Sequence, residues 1–237
     1  MQTVRFAPPC SVDDLKSICG WAGLSFATGA QGGLPASALR RLAQAAVRNS
    51  GTNSYHHRGH FAHVIMDAGL LAARARLRGQ DRALLVLAAL VHDLDHQGRR
   101  GIRQLYGQED WSARLTGRVL IGRHGDARLA VRLRRMIRAT ALTGDRDRLL
   151  TLETDRLARL LTDADIFASV MYERRISVRM TAGLKLEQRL SGTAQDLNAA
   201  FATFIGKDGL KSATASQLLT AVQASRAEHR NVIMAVS

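Results

Sequence analysis

Half of the histidines in this chain lie in one short segment, residues 53–63, with the sequence NSYHHRGHFAH. If the segment is helical, His56 and His60 share a face because they are four residues apart, and His63 follows three residues after His60. Imidazole groups at this spacing suit metal binding or proton transfer near neutral pH. The alternative is a run of solvated surface histidines without a function. If the segment is helical, Asn53 or Ser54 could be its N-cap.

A second group of ionisable residues follows the most apolar stretch of the chain, ALLVLAALV at residues 83–91. His92 and Asp93 come directly after it, and ionisable groups beside a buried run are costly unless they are paired or bind a metal. Side chains of adjacent helical residues point about 100° apart, yet both can reach an ion beside the helix. Asp95 and His96 follow within one turn, where they could hold water next to such an ion.

A third group lies far downstream, where Asp163 and Asp165 interrupt the apolar stretch LARLLTDADIFASVMY. A buried aspartate commonly caps a neighbouring element or pairs with an arginine, and the chain offers many arginines. An inward-facing carboxylate would instead complete a site with His60, His92 and Asp93. Two neutral imidazoles and two carboxylates form a ligand set that zinc, iron, manganese and related divalent ions accept.

Helical spacing of apolar residues dominates the chain from residue 53 onward, and no alternating strand pattern or internal repeat occurs. The fold class predicted is therefore all-α. The first fifty residues include the glycine-rich stretch WAGLSFATGAQGGLP, which predicts a loop-rich extension that ends in a short helix. Predicted helices cover residues 35–50, 64–78, 82–94, 109–121, 126–142, 154–190 with a break at Gly183, 194–205 and 212–229.

Composition limits the classes of function. The chain of 237 residues carries a formal net charge of +14, from 34 Lys+Arg against 20 Asp+Glu, which favours an anionic substrate. Nucleic acid is a less favoured partner, because the arginines are scattered at helical spacing and aromatic residues make up only 5%. The longest apolar run is too short to span a bilayer. Two cysteines and an N-terminus without an apolar signal core predict a cytoplasmic location.

Five motifs in one order resemble the HD superfamily of metal-dependent phosphohydrolases. YHHRGH and VHDLDHQG are similar to motifs of cyclic-nucleotide phosphodiesterases, and YHHRGH also to a bacterial branch of predicted HD phosphohydrolases. QEDWSARL, MIRAT and LLTDADIF resemble later motifs of that branch. The resemblance covers residues 53–179 and implies a compact HD-type helical domain over residues 51–237, with a metal site between helices. Residues 1–50 would form the N-terminal extension, and residues 184–229 the C-terminal helices.

The resemblance also implies roles for single residues. The ligands of one or two divalent ions (Mn, Fe, Zn or Mg) would be His60, His92, Asp93 and Asp165, with Asp93 bridging to a second ion. His56 would protonate the leaving oxygen, while His96 and Glu109 would order the water that attacks phosphorus. Arg99 and Arg100 are candidates for binding the phosphate of the substrate, with a solvated loop as the alternative.

Three positions depart from the family pattern. His57 stands where an asparagine is expected, His63 stands where an aspartate is expected, and Asp67 lies one turn further on. The asparagine that phosphodiesterases carry after the HD stretch is replaced by the sequence GRRG. The implied activity is hydrolysis of a phosphate ester, with nucleotides and cyclic nucleotides as candidate substrates. The alternative is a non-catalytic HD module that binds a nucleotide or RNA.

Overall fold

The structure, a computed structural model, describes residues 11–26, 35–49, 53–96, 107–124, 127–141, 155–167, 172, 174–205 and 209–236. These residues form α-helices and connecting turns and contain no β-strand, which confirms the all-α prediction. The helices are α1 Val12–Ala22, α2 Ala36–Asn49, α3 Arg58–Arg74, α4 Gly79–Val91, α5 Gly107–His124, α6 Ala127–Arg138, α7 Arg156–Phe167, α8 Arg174–Gln188, α9 Ala194–Phe204 and α10 Ala213–Val236.

Helices α3, α4 and α7 form the centre of the core, and each packs against the other two. Every residue of α4 from Ala83 to Val91 is buried, as its uninterrupted apolar sequence predicts for a helix surrounded by other elements. Phe61 on α3 and Phe167 on α7 are fully buried, and each contributes about 1.5–3 kcal/mol by leaving water. This core fixes the relative positions of the three elements that carry the candidate ligands.

The N-terminal helices belong to the same hydrophobic core. Leu15 and Cys19 on α1 and Leu39 and Leu42 on α2 are fully buried within it. Helix α1 was not predicted, although Ser11 caps it together with the third helical residue in a reciprocal pair of hydrogen bonds. The division of the chain at residue 50 stays a prediction.

The predicted helix over residues 154–190 is two helices, α7 and α8, with the first ending at Phe167 and the second beginning at Arg174. The predicted break at Gly183 is wrong, because Gly183 lies inside α8. This glycine serves close packing instead: a Cβ atom there would collide with the carbonyl oxygen of Ser54. Helix α8 therefore lies directly against the segment that precedes α3.

None of the described helices combines the length and the apolar character that crossing a bilayer requires.

Candidate metal centre

Helix α3 begins immediately before the first candidate ligand. His57 is its N-cap, and the Nδ1 atom of His57 accepts a hydrogen bond of 2.9 Å from the N–H group of Gly59. The expected caps, Asn53 and Ser54, lie outside the helix. His57 therefore caps the helix, a role for which asparagine is a favoured residue. His60 lies in the first turn of the helix and is fully buried.

His92 and Asp93 occupy the turn that follows α4, and helix α5 holds this turn in place. The Trp111 indole N–H donates to Asp95 Oδ2 at 2.8 Å, and the Ser112 hydroxyl donates to the Leu94 carbonyl at 2.8 Å. Asp95, within this turn, adopts a left-handed conformation with φ of 55°, which changes the direction of the chain after the candidate ligands. The turn therefore presents both candidate ligands to one side.

Asp165 on α7 completes a cluster of four donor atoms that all lie within 4.8 Å of one another. His60 Nε2 lies 3.2 Å from His92 Nε2, 3.1 Å from Asp93 Oδ2 and 3.3 Å from Asp165 Oδ1. His92 Nε2 lies 3.0 Å from Asp93 Oδ2 and 3.4 Å from Asp165 Oδ1. The structure thus brings together the four residues to which the family resemblance assigns metal binding.

The chemistry of this cluster fits a divalent cation. His92 Nδ1 lies 2.9 Å from the carbonyl oxygen of Ala89, which as acceptor requires the proton on Nδ1 and leaves Nε2 free to coordinate. Burial disfavours the ionised carboxylates, but the neighbouring imidazoles outweigh it and hold the pKa of Asp93 and of Asp165 below the usual range. The same two carboxylates raise the pKa of His60 and of His92, against the effect of burial. A divalent cation would take the place of the imidazole protons among two nitrogen and two oxygen donors.

His56 precedes α3, and a carboxylate from α8 fixes its position. Glu187 Oε2 accepts hydrogen bonds from the backbone N–H groups of Tyr55 and His56, at 2.8 and 3.1 Å, and Glu187 Oε1 contacts His56 Nδ1. The other ring nitrogen, Nε2, lies 3.6 Å from Asp93 Oδ2 at the edge of the cluster. Burial opposes the charge of Glu187, but His56 and the two N–H groups lower the pKa of Glu187 to about 2.

Glu187 is a residue of the site that sequence reasoning missed. It lies 131 residues from His56 in the chain, next to Leu186, which is 69% exposed. The one available signal was Gly183, which stands one helical turn before Glu187 and allows α8 to approach the backbone of Ser54. From the sequence alone, a break in the helix is instead predicted at Gly183.

His96 lies against His56, with the two rings stacked at a centroid distance of 3.5 Å. The Asn53 side chain donates to the His96 carbonyl at 2.5 Å and secures this arrangement. Burial lowers the pKa of His96 to about 4, so the ring is neutral at physiological pH. His56, Asp93 and His96 form a second group with donor atoms within 4.8 Å.

Glu109 lies in the first turn of α5. Burial raises the pKa of Glu109 to about 7, and the negative charges of Asp93 and Asp165 act in the same direction. A carboxyl group with this pKa can both accept and donate a proton near neutrality. The two arginines predicted to bind phosphate, Arg99 and Arg100, lie outside the described residues.

Asp163 faces away from the cluster although it is only two residues from Asp165. It accepts hydrogen bonds from the N–H groups of Lys211 and Ser212, at 2.6 and 2.9 Å, and from the Ser212 hydroxyl at 2.5 Å. Asp163 therefore secures the start of α10. The alternative that a buried aspartate caps a neighbouring element therefore applies to Asp163, whereas Asp165 lies in the cluster.

His63 and Asp67 belong to a separate contact on α3. Asp67 Oδ1 accepts a hydrogen bond of 3.1 Å from the hydroxyl of Tyr172, whose ring packs on His63 at 4.6 Å. Burial lowers the pKa of His63 to about 4 and raises that of Asp67 well above its usual value. Neither residue has a donor atom in the cluster formed by the described residues.

The fold is similar to that of phosphodiesterase domains. The phosphodiesterase domain of the RhoPDE fusion protein from the choanoflagellate Salpingoeca rosetta matches with a TM-score of 0.61 at 16% identity, over 98% of this chain and 95% of that chain. LmjPDEB1, solved in complex with IBMX, matches with a TM-score of 0.58 at 14% identity, over 93% of this chain and 85% of that chain. At these identities the likeness shows the fold alone. No protein-family model and no curated protein matches the chain.

Proposed function

We propose that this protein is a metal-dependent phosphohydrolase or phosphodiesterase that hydrolyses a phosphate ester, with nucleotides and cyclic nucleotides as the first substrates to test. The observation that carries the proposal is the convergence of two imidazoles and two carboxylates beside a third imidazole. The similarity to phosphodiesterase domains supports the same class of reaction. The net charge of +14 suits an anionic, phosphate-containing small molecule.

In this proposal His60, His92, Asp93 and Asp165 hold the first of one or two divalent ions. Asp93 would also contribute to holding a second ion, whose other ligands would be mainly water. Manganese, iron, zinc and magnesium are the candidate metals. Such an ion supplies a water of lowered pKa and neutralises charge on the phosphoryl oxygens.

His56 donates the proton that the leaving oxygen requires. Glu187 contacts Nδ1 and so keeps the ring oriented, with Nε2 directed toward the cluster where the ester would lie. A histidine suits this role because its ordinary pKa of about 6.5 lets it give and regain a proton near neutrality. A positioned general acid contributes roughly 100- to 10,000-fold in rate.

His96 and Glu109 order the attacking water. His96 stays neutral at physiological pH and stacks on His56, while Glu109 has a pKa of about 7 that lets it accept a proton. Arg99 and Arg100 are proposed to bind the substrate phosphate, since an arginine guanidinium forms paired hydrogen bonds to phosphate oxygens. A cytoplasmic location belongs to the same proposal.

The test compares the wild type with Asp93→Ala and with a control, Asp81→Ala, whose carboxylate is exposed and pairs with Arg132 at 3.5 Å. Metal per chain is measured by mass spectrometry after incubation with manganese, iron and zinc. Hydrolysis is measured on p-nitrophenyl phosphate, bis-p-nitrophenyl phosphate, nucleotides and cyclic nucleotides. Circular dichroism checks that each variant keeps its helices.

We expect the wild type and Asp81→Ala to bind metal and hydrolyse an ester, and Asp93→Ala to lose both while remaining helical. A chain that takes up no metal would contradict the proposal and favour a non-catalytic module that binds a nucleotide or RNA. A chain that binds metal through Asp93 but hydrolyses none of the esters would retain the metal centre and refute the enzymatic activity.

A further inference from the structure

Helices α5 and α6 border a surface groove of about 530 Å³ that takes no part in the metal centre. Its floor consists of small and apolar residues: Ala113 and Gly117 from α5, and Ala130 and Val131 from α6. Val131 is 53% exposed, which leaves a branched apolar side chain in contact with water. A groove of this size with an apolar floor can take up the apolar side chains of a ligand or of a partner.

Arginines border the floor of this groove. Arg114 and Arg118 on α5 are exposed and lie one helical turn apart, and Arg134 contributes from α6. Arg134 pairs with Asp110 at 3.3 Å, whereas Arg114 and Arg118 form no ion pair with any described residue. The sequence of residues 107–138 contains eight arginines against three acidic residues, an excess of positive charge.

Helix α5 also carries contacts of the metal centre, because Trp111 and Ser112 donate hydrogen bonds to Asp95 and Leu94 in the turn after α4. Arg114 and Arg118 follow Trp111 by three and seven residues and line the groove on the same side of the helix. Their guanidinium groups take part in neither of the two hydrogen bonds, and metal content shows whether a groove substitution leaves the turn in place. The function of the groove can be tested independently of hydrolysis.

We propose that the α5–α6 groove binds an acidic amphipathic segment of a partner protein. The apolar face of that segment packs on Val131 and the floor, and its carboxylates pair with Arg114 and Arg118. An apolar floor with a charged border is the usual composition of a groove that accepts one face of a helix. Arginine favours this role, because its fork binds a carboxylate through two hydrogen bonds. Single-stranded nucleic acid fits less well, since no aromatic side chain lines the described groove for base stacking.

The experiment uses the full chain and a fluorescein-labelled 20-residue peptide with leucines at helical spacing and glutamates elsewhere. A peptide of the same composition in scrambled order and a 20-nucleotide single-stranded DNA serve as competing probes. Fluorescence anisotropy measures binding to the wild type, to Val131→Glu and to the double variant Arg114→Glu with Arg118→Glu. The control is Arg74→Glu with Arg78→Glu, which changes the net charge equally on exposed residues outside the groove.

We expect the amphipathic peptide to bind the wild type and the control alike, and to bind both groove variants at least tenfold more weakly. The scrambled peptide should bind weakly to all four proteins, and circular dichroism and metal content should be the same throughout. Equal weakening by the control pair would show that only net charge matters and would overturn the proposal. So would failure of the peptide to bind the wild type, or groove-dependent binding of the DNA that exceeds that of the peptide.

Discussion

Two buried carboxylates, Asp163 on α7 and Glu187 on α8, hold neighbouring segments with the same pattern of hydrogen bonds but serve different purposes. Asp163 accepts from two consecutive backbone N–H groups, those of Lys211 and Ser212, and from the hydroxyl of Ser212. The Ser212 hydroxyl acts here only as a hydrogen-bond donor. The contact therefore does no more than join α7 to the start of α10.

Glu187 repeats the pattern on the segment before α3. It accepts from the consecutive N–H groups of Tyr55 and His56 and contacts the side chain of His56. The third partner of Glu187 is the His56 imidazole, which lies next to the metal cluster. The third partner of Asp163 is the Ser212 hydroxyl. A contact that fixes a loop thereby also orients a group that can transfer a proton.

The pKa values follow from this difference. Burial dominates at Asp163 and raises its pKa to about 6, although the hydrogen bonds from Lys211 and Ser212 and the charge of Lys211 act in the opposite direction. Burial also opposes ionisation of Glu187, but the imidazole and the two N–H groups outweigh it and lower the pKa to about 2. Burial thus prevails over the donors at Asp163, whereas the imidazole and the two N–H groups prevail over burial at Glu187.

The largest expected effect comes from Glu187→Gln. The amide cannot stabilise a protonated His56 as a carboxylate does, so we expect kcat to fall roughly 100-fold, at the low end of what a general acid contributes. The alkaline limb of the kcat profile should also move to lower pH. The metal content of Glu187→Gln should match that of the wild type. The control variant Asp163→Asn should match the wild type in both metal content and kcat. A variant with reduced kcat and an unmoved pH profile would show that Glu187 acts only as a structural contact.

The sequence and the structure agree where local pattern determines the outcome. Apolar spacing predicted most helices, and the position of His92 and Asp93 beside a buried run identified a costly pair that needs a partner. Glu187 could not be found in this way, because its partners lie 131 and 132 residues away and only packing brings them together. Helix α1 was not predicted, because the first fifty residues were characterised by their glycine-rich stretch and the cap at Ser11 was not considered.

A second test alters the approach of α8 rather than the carboxylate. Gly183→Ala places a methyl group against the carbonyl of Ser54, and we expect a loss of about 1–3 kcal/mol in the free energy of unfolding, as for other overpacked sites. Activity should fall as well, since the displaced segment carries His56. The control is Gly20→Ala in α1, which has no neighbour within 4 Å and should gain roughly 1 kcal/mol. Unchanged activity in Gly183→Ala would mean that the approach of α8 does not set the position of His56.

The third test removes the structural carboxylate. Asp163→Ala removes the acceptor that this carboxylate provides to the part-buried N–H groups of Lys211 and Ser212, and each lost hydrogen bond to a charged group costs about 1.5–3 kcal/mol. We expect a lower midpoint in urea unfolding, with metal content and kcat retained. Asp165→Ala, two residues along the same helix, should show the reverse by losing metal. If Asp163→Ala also lost metal, the two faces of α7 would not be independent.

The fourth expected effect is a difference in how the free energy of unfolding depends on pH, and it concerns stability rather than activity. Burial raises the pKa of Asp163 to about 6, so this shift contributes fully to the free energy of unfolding below the ordinary pKa of 3.8. The contribution is lost as the pH rises through about 6. The destabilisation caused by Asp163→Asn should therefore shrink between pH 4 and pH 7, by up to ~3 kcal/mol. The lowered pKa of Glu187 has the opposite consequence. Its contribution to the free energy of unfolding is complete above the ordinary pKa of 4.5 and is lost only as the pH falls toward 2.

Urea unfolding of the wild type, Asp163→Asn and Glu187→Gln at pH 4, 5, 6 and 7 measures both slopes. The cost of Glu187→Gln should stay constant from pH 5 to pH 7 while that of Asp163→Asn declines. Two parallel curves would mean that the hydroxyl of Ser212 and the imidazole of His56 act alike on their carboxylates. The contrast between the two contacts would then lie in their location beside or away from the metal cluster, and not in their electrostatics.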